Sequence, residues 1–120
     1  MYQILPESHD SLVCLRLSGK LDDADYQAIV TLLEERIAAH GKIRLFWEMV
    51  DFEGWTAKGI LQDAKFDLKH ANDFQKIALV GEQEWEEKMT QLMKPFTKAE
   101  VRYFPLDQRA KALSWAQTAL

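Results

Sequence analysis

The order of strand-like and helix-like segments in this chain predicts an α/β fold with a five-stranded mixed sheet. Segments with a period of two recur between segments with the helical period, which favours parallel strands joined by right-handed crossovers. The first two strands follow each other closely enough to form an antiparallel hairpin, so the predicted order is ββαβαβαβα. If consecutive strands are neighbours, right-handed crossovers place the helices mainly on one face of the sheet.

The first two strands are short apolar segments separated by a polar turn. Tyr2–Leu5 is the first, and it stops at Pro6. Leu12–Ser18 is the second, and its alternation is typical of a strand with one buried side. The side expected to face the core carries Val13, Leu15 and Leu17.

A helix and a third strand follow. Gly19 ends the second strand, and Asp22 or Asp23 can cap the helix. Gly41 is a suitable residue to stop it. Ile43–Met49 is then predicted as the third, buried strand. The apolar stripe of the helix consists of Tyr26, Ile29, Val30, Leu33 and Ile37.

The remainder of the chain repeats the strand and helix pattern. The second predicted helix buries Ala57, Leu61, Ala64, Leu68 and Ala71. Lys76–Val80 is the fourth strand, and a third helix beginning at Glu82 follows it. The stripe of that helix is Trp85, Met89, Leu92, Met93 and Phe96. Val101–Phe104 is the fifth strand, and Asp107 is expected to cap a last helix. This last helix is expected to turn inward Ala110, Leu113 and Trp115.

Composition indicates one ordinary globular domain spanning residues 1–120. The net charge of −4 argues against the basic surface that nucleic-acid phosphates require. The single Cys14 excludes an internal disulfide and fits a reducing compartment. The first residues lack the pattern of a signal peptide, and no apolar run reaches the roughly 20 residues needed to cross a bilayer. We therefore expect a soluble, cytoplasmic protein.

The sequence shows no pattern typical of an enzyme or a cofactor site. The histidines lack metal-ligand spacing, and there is no glycine-rich phosphate loop, nucleophile elbow or cysteine pair. Acidic residues close to a helix start are more often dipole partners than catalytic pairs. Three of them could nevertheless supply a hydrolytic carboxylate pair: Glu48, Asp51 and Glu53. We expect a non-catalytic protein without a metal or cofactor.

The turn after the third strand is the most informative segment, because ligands of open α/β sheets bind at the carboxyl ends of strands. Phe52 and Trp55 lie there, and they either cap the core or form the lip of an apolar groove between the second and third helices. Methionines adapt to irregular ligands, although a stripe of Met and aromatic residues is also typical of ordinary core. The groove interpretation predicts ligand binding by Phe52, Trp55, Ile60, Trp85, Met89 and Met93.

The alternate strand residues that point away from the predicted core form another candidate surface, because they mix charged and apolar side chains. An apolar centre rimmed by charges suits a homodimer interface, unless the C-terminal helix covers it. This less covered sheet face carries Cys14, Arg16, Arg44, Phe46, Arg102 and Phe104.

Ser18-Gly19-Lys20-Leu21-Asp22, which leads from the second strand into the capped helix, resembles the glycine-x-leucine-aspartate turn of STAS domains. The element order over the whole chain matches these domains too. Ala112-Leu113-Ser114-Trp115 is similar to the ending of SpoIIAA-like proteins, whose fold is shared with Sec14 (CRAL-TRIO) lipid-binding domains. The resemblance implies a βα superhelix of the bacterial anti-sigma-factor-antagonist type, with its parallel strands in sequential order.

The resemblance also implies a test of the antagonist phosphorylation switch. Antagonist STAS domains carry a phosphorylatable serine or threonine where the helix after the third strand begins. Here that turn is Asp51-Phe52-Glu53-Gly54-Trp55-Thr56, in which Thr56 is the only hydroxyl. The neighbouring carboxylates would oppose an added phosphate, so we do not expect the usual switch.

Two functions agree with these observations. The first is a non-catalytic binding domain that holds a small amphipathic or lipid-like ligand at the edge between the third strand and the second helix. The alternative is a regulatory protein-interaction module of the anti-sigma-factor-antagonist type without a phosphoserine switch. In that case Asp51, Glu53 and Thr56 would contact the partner.

Overall fold

The five strands form one sheet in sequential order, as the sequence predicts. In the computed structural model, the described residues are 1–55, 72–96 and 98–118. The first strand is antiparallel to the second, and all other neighbouring pairs are parallel. The strands are β1 (Tyr2–Ile4), β2 (Leu12–Leu21), β3 (Ile43–Trp55), β4 (Phe74–Gly81) and β5 (Glu100–Pro105).

Three α-helices are found in the described residues: α1 (Asp23–His40), α2 (Glu84–Met93) and α3 (Arg109–Gln117). The mixed α/β class is therefore confirmed. The second predicted helix, with its stripe from Ala57 to Ala71, lies outside the described residues. No described helix is long and apolar enough to span a membrane.

The ends of α1 match the sequence signals. Asp22 is the N-cap, and its carboxylate accepts a hydrogen bond of 2.8 Å from the backbone N–H of Asp25. At the other end Gly41 has φ +79°, and its N–H donates to the Ile37 carbonyl at 2.7 Å. The helix packs the predicted stripe against the first face of the sheet, where its buried residues are Tyr26, Ile29 and Leu33.

The first face of the sheet holds the larger core. The strand positions predicted to point inward are buried there, and they include Val13, Leu15 and Leu17 of β2 with Leu45, Trp47 and Met49 of β3. Burial of apolar area at roughly 25 cal/mol per Å² makes this layer the main source of stability.

The second face is covered by α3, which is the alternative that the sequence left open. Cys14, Phe46 and Phe104 pack there with Ala112 and Ala116 of the helix. The two alanines are four residues apart and lie on one side of the helix, so its backbone can approach the sheet closely. These apolar residues are thus not available as the homodimer surface proposed from the sequence. Ala110 is exposed rather than inward, because the helix turns Ala112 and Ala116 to the sheet.

Charged residues of the second face hold the C-terminal end of α3. Arg44 donates from Nη1 to the Ala116 carbonyl at 3.0 Å, and Lys76 donates from Nζ to the carbonyls of Trp115 at 3.1 Å and Thr118 at 2.9 Å. Carbonyls in the last turn of a helix lack partners within the helix, and its C-terminal end is partially negative. Arg44 and Lys76 therefore hold the end of α3 against the second face.

Candidate functional site

Strand β3 continues through the segment predicted as a loop. Leu17 of β2 is paired with Met49, but Gly19 is paired with Phe52, so β3 contains one extra residue between these pairs. Asp51 lies within this bulge with φ +50°. An extra residue reverses which side of the strand the following side chains occupy. Because β3 runs on to Trp55, the predicted end of the third strand at Met49 is wrong.

The bulge places Phe52 in the core. The ring is 1% exposed and belongs to the core of the first face. This is the position that the core-cap alternative predicts, and the ring does not form an exposed lip. Asp51 and Glu53 on either side of it are exposed. If side chains alternated regularly between the two faces from Ile43 onward, Phe52 would lie on the second face with Phe46 and Glu48.

The turn between β4 and α2 is bonded to this distorted end of β3. The Asp51 N–H donates to Oε1 of Glu82 at 2.9 Å, and Nε2 of Gln83 donates to the Phe52 carbonyl at 3.0 Å. The carboxyl ends of β3 and β4 and the start of α2 are thus held together by side-chain to backbone hydrogen bonds. This is the sheet edge where the sequence placed the site.

Glu86 is the most unusual polar residue at this edge. It occupies the third position of α2, and its Oε1 accepts hydrogen bonds from the backbone N–H groups of Glu82 at 3.0 Å and Gln83 at 2.9 Å. The residue is fully buried, and its Oε2 has no hydrogen-bond partner among the described residues. Burial raises the pKa of this carboxyl above its ordinary value, although the two backbone donors oppose the shift.

Tyr103 of β5 approaches the same point as Glu86. A Cβ built on Gly81 would lie 2.6 Å from Glu86 Oε1 and 2.9 Å from the Tyr103 hydroxyl oxygen. Burial, followed by the negative charges of Glu86, Glu87 and Glu82, raises the pKa of the Tyr103 phenol. Glycine at position 81 therefore allows a carboxylate and a phenol to approach the end of β4.

We expect Gly81→Ala to lower the free energy of unfolding by about 1–3 kcal/mol, because the methyl group would overlap the Glu86 carboxylate and the Tyr103 hydroxyl. Urea denaturation of the two proteins measures the difference. Tyr103→Phe removes the hydroxyl that the new methyl group would overlap. Tyr103→Phe should therefore lower the free energy of unfolding less in the Gly81→Ala protein than in the wild type. Equal costs in both backgrounds would contradict the proposed contact.

The structure describes only part of the predicted binding set. Phe52 is core, and Met89 is half-buried against the same core. Thr56 and Ile60 lie outside the described residues. Only the backbone positions are described for Trp55 in β3 and for Trp85 and Met93 in α2.

Sequence reasoning missed the role of Glu86 and its neighbours Gly81, Gln83 and Tyr103. The spacing of Gln83 and Glu86 carries a signal, since a polar N-cap with Glu three residues later is typical of a capping box. An acidic helix start is equally typical of carboxylates that complement the positive end of the helix dipole. Nothing in the spacing indicates that one of these carboxylates is buried.

The suggested carboxylate pair is not assembled. Glu48 lies on the second face, where Oε1 accepts from Arg16 Nε at 3.1 Å and Oε2 accepts from Arg109 Nε. Asp51 lies in the bulge of β3 and is exposed. Arg109 also contacts Glu7 at 3.3 Å, and these carboxylates raise the pKa of its guanidinium. These four charged side chains, Glu7, Arg16, Glu48 and Arg109, connect the turn after β1, strands β2 and β3, and α3.

Among the described residues, no group of three or more His, Cys, Asp or Glu residues could hold a metal ion.

Cys14 is buried on the second face, and its environment suppresses thiolate formation. Burial, assisted by the Glu7 carboxylate, raises the pKa of its thiol from 9.0 to about 11. We expect iodoacetamide at pH 8 to alkylate the native protein on the order of 100-fold more slowly than the urea-unfolded protein, because the thiolate is the reactive form. Mass spectrometry measures the rate. Equal rates in the two states would show that the thiol is accessible and has an ordinary pKa.

Comparison with known proteins agrees with this architecture. A model of the SpoIIAA-like family matches residues 12–117. Similar solved structures include the crystal structure of a protein of the DUF3478 family with a SpoIIAA-like fold, from Shewanella loihica PV-4. The two chains are 26% identical, the match covers 97% of this chain and 92% of that chain, and the TM-score is 0.78. No curated protein matches this sequence. With the family model covering most of the chain and the sheet in sequential order, this protein belongs to the SpoIIAA-like family.

Proposed function

We propose that this protein is a regulatory domain that binds a small amphipathic molecule at the carboxyl edge of β3 and β4. SpoIIAA-like domains are generally non-catalytic binding or regulatory domains, which supports the general class. The position agrees with the general rule that open α/β sheets bind ligands where their strands end. Of the predicted ligand-binding residues, Met89 is half-buried on α2 three residues after Glu86, and it packs against the core that contains Phe52.

The single observation that carries this proposal is Oε2 of Glu86, which has no hydrogen-bond partner in the described part of the chain. Leaving a buried acceptor without a donor costs about 1–3 kcal/mol, and more for a charged group. Unsatisfied buried polar atoms are rare in folded proteins and need an explanation, such as a catalytic role, a bound water or a bound molecule. A ligand that combines an apolar chain with a hydrogen-bond donor would satisfy Oε2 and cover apolar surface next to Met89.

Two experiments test the proposal. In the first, the purified protein is extracted with organic solvent and the extract is analysed by mass spectrometry. In the second, the protein is titrated with decanol and its tryptophan fluorescence is followed. Burial of each methylene contributes about 0.8 kcal/mol, so a ten-carbon chain that is fully covered gains about 8 kcal/mol, which corresponds to roughly micromolar binding. We expect Met89→Gln to weaken binding about tenfold and the neighbouring Lys88→Gln to leave it unchanged, since Lys88 is exposed. An empty extract together with no fluorescence response to decanol, decylamine or decanoate would refute it.

The exposed carboxylates on β3 favour a second candidate, a protein-interaction module. The Asp51 backbone is held by Glu82, and Glu53 projects from the same strand end into solvent. A pull-down with wild type, Glu53→Lys and, as a matched control, the exposed Glu35→Lys on α1 tests this function. A partner that wild type and Glu35→Lys retain but Glu53→Lys loses would support it. Identical sets of captured proteins for all three would exclude the β3 edge.

A further inference from the structure

The carboxyl edge is electronegative as well as partly apolar. Five exposed carboxylates lie at the end of β3 and in the first turn of α2 with its preceding turn: Asp51, Glu53, Glu82, Glu84 and Glu87. The hydrogen bond between Asp51 and Glu82 shows that these two elements meet. Two basic side chains are also described there. Lys88 is paired with Glu84 at 3.4 Å, and exposed Lys20 lies beside Gly54 in the strand register. Among the residues that the structure describes, carboxylates at this edge therefore outnumber basic side chains.

The positive end of α2 does not reverse this balance at Glu86. Oε1 of Glu86 already accepts hydrogen bonds from the backbone N–H groups of Glu82 and Gln83. The first turn of α2 also carries three glutamates, whose negative charges complement the helix dipole. Oε2 of Glu86 has no hydrogen-bond partner within residues 1–55, 72–96 and 98–118, and it lies in a buried setting where electrostatic interactions are stronger than in water. An anionic head placed there would face Glu86 and the surrounding carboxylates.

We propose that the head group taken by this site is a protonated amine, that the ammonium donates a hydrogen bond to Oε2 of Glu86, and that anionic amphiphiles of equal chain length are rejected. This inference rests on the proposed ligand-binding function and specifies its chemistry. A buried carboxylate without a donor is costly, and an ammonium supplies both the missing donor and the opposite charge. Rejection of an anion follows from like-charge repulsion and from Oε2 being left unpaired.

The test compares decylamine, decanol and decanoate at pH 7 and constant ionic strength, by calorimetry and tryptophan fluorescence. Wild type should bind decylamine at least about tenfold more tightly than decanoate, with decanol between them. Glu86→Gln keeps an oxygen for the two backbone N–H groups but loses the charge, so it should bind decylamine about tenfold more weakly and decanol nearly as well. The matched control Glu84→Gln lies in the same helical turn but is exposed, and it should keep most of the preference.

The outcomes separate this inference from the function on which it rests. If decanoate binds as tightly as decylamine or more tightly, the inference is overturned while ligand binding stands. If none of the three probes binds, both are overturned. If Glu86→Gln is folded by circular dichroism and keeps the full preference for decylamine, Glu86 is not the recognising group. If Glu86→Gln does not fold, the order of the three probes on wild type decides.

Discussion

Phe52→Ala is expected to lower the free energy of unfolding by about 3–5 kcal/mol, because the ring is 1% exposed within the core of the first face. Removing it leaves a cavity beneath the bulged end of β3 in addition to the lost burial. Urea denaturation followed by circular dichroism measures the change. Domains of this size are stable by only about 5–15 kcal/mol, so the loss is a large part of the total.

The milder Phe52→Leu keeps the result measurable if the alanine variant does not fold. Leucine retains most of the apolar volume, and we expect a loss of less than about 1.5 kcal/mol. A loss below 1 kcal/mol for Phe52→Ala would mean that the ring lies at an open surface, and the groove interpretation of the β3 end would then be favoured over the core-cap position.

Glu48→Ala is expected to cost about 2–3 kcal/mol. Its carboxylate is 3% exposed and is shared by Arg16 and Arg109. Removing one partner of a buried ion pair typically costs about 3–5 kcal/mol, since the remaining charge is left without compensation. The two arginine side chains are 39% and 30% exposed, so water can partly replace the lost carboxylate, and the lower figure applies.

The matched control is Glu100→Ala, which removes a carboxylate from an exposed pair with Arg102 at 3.1 Å. Exposed pairs contribute at most about 1 kcal/mol, so this variant should differ little from wild type. In the double variant Glu48→Ala with Arg16→Ala, part of the loss should be recovered, because the cation that loses its Glu48 partner is removed while Arg109 keeps Glu7. Equal losses for Glu48→Ala and Glu100→Ala would show that the Glu48 cluster is not a buried network.

Local sequence patterns were sufficient to predict the elements that keep one regular period, either that of a strand or that of a helix. The apolar alternation of β2, the stripe of α1 and the pair Asp22 and Gly41 at its ends depend on neighbours in the chain, and the structure confirms them. The resemblance of the Gly19–Asp22 turn to STAS domains is likewise a local signal, and the family match confirms it. The location of the site at the carboxyl ends of the parallel strands stays a prediction from the topology.

Patterns of one period could not locate the features that depend on contacts between distant segments. Extending β3 past Met49 requires Gly19 of β2 as a pairing partner, and the bulge at Asp51 reverses the side on which Phe52 lies. Arg44, which the sequence placed on a candidate homodimer surface, and Lys76 of β4 both donate hydrogen bonds to carbonyls at the end of α3. Their partners are separated in sequence by tens of residues, so no short window contains both.

Residue order and periodicity predicted the α/β class and the caps of α1, because each rests on interactions within one element or between successive ones. The resemblance of short motifs to STAS domains implied the sequential order of the strands and the family of the chain. Folding in three dimensions determined that Phe52 is core, that α3 covers the second face, and that Glu86 is buried with one oxygen unpartnered among the described residues. Burial is a property of everything packed around a residue. Sequence spacing alone therefore does not distinguish Glu86 from the exposed glutamates beside it.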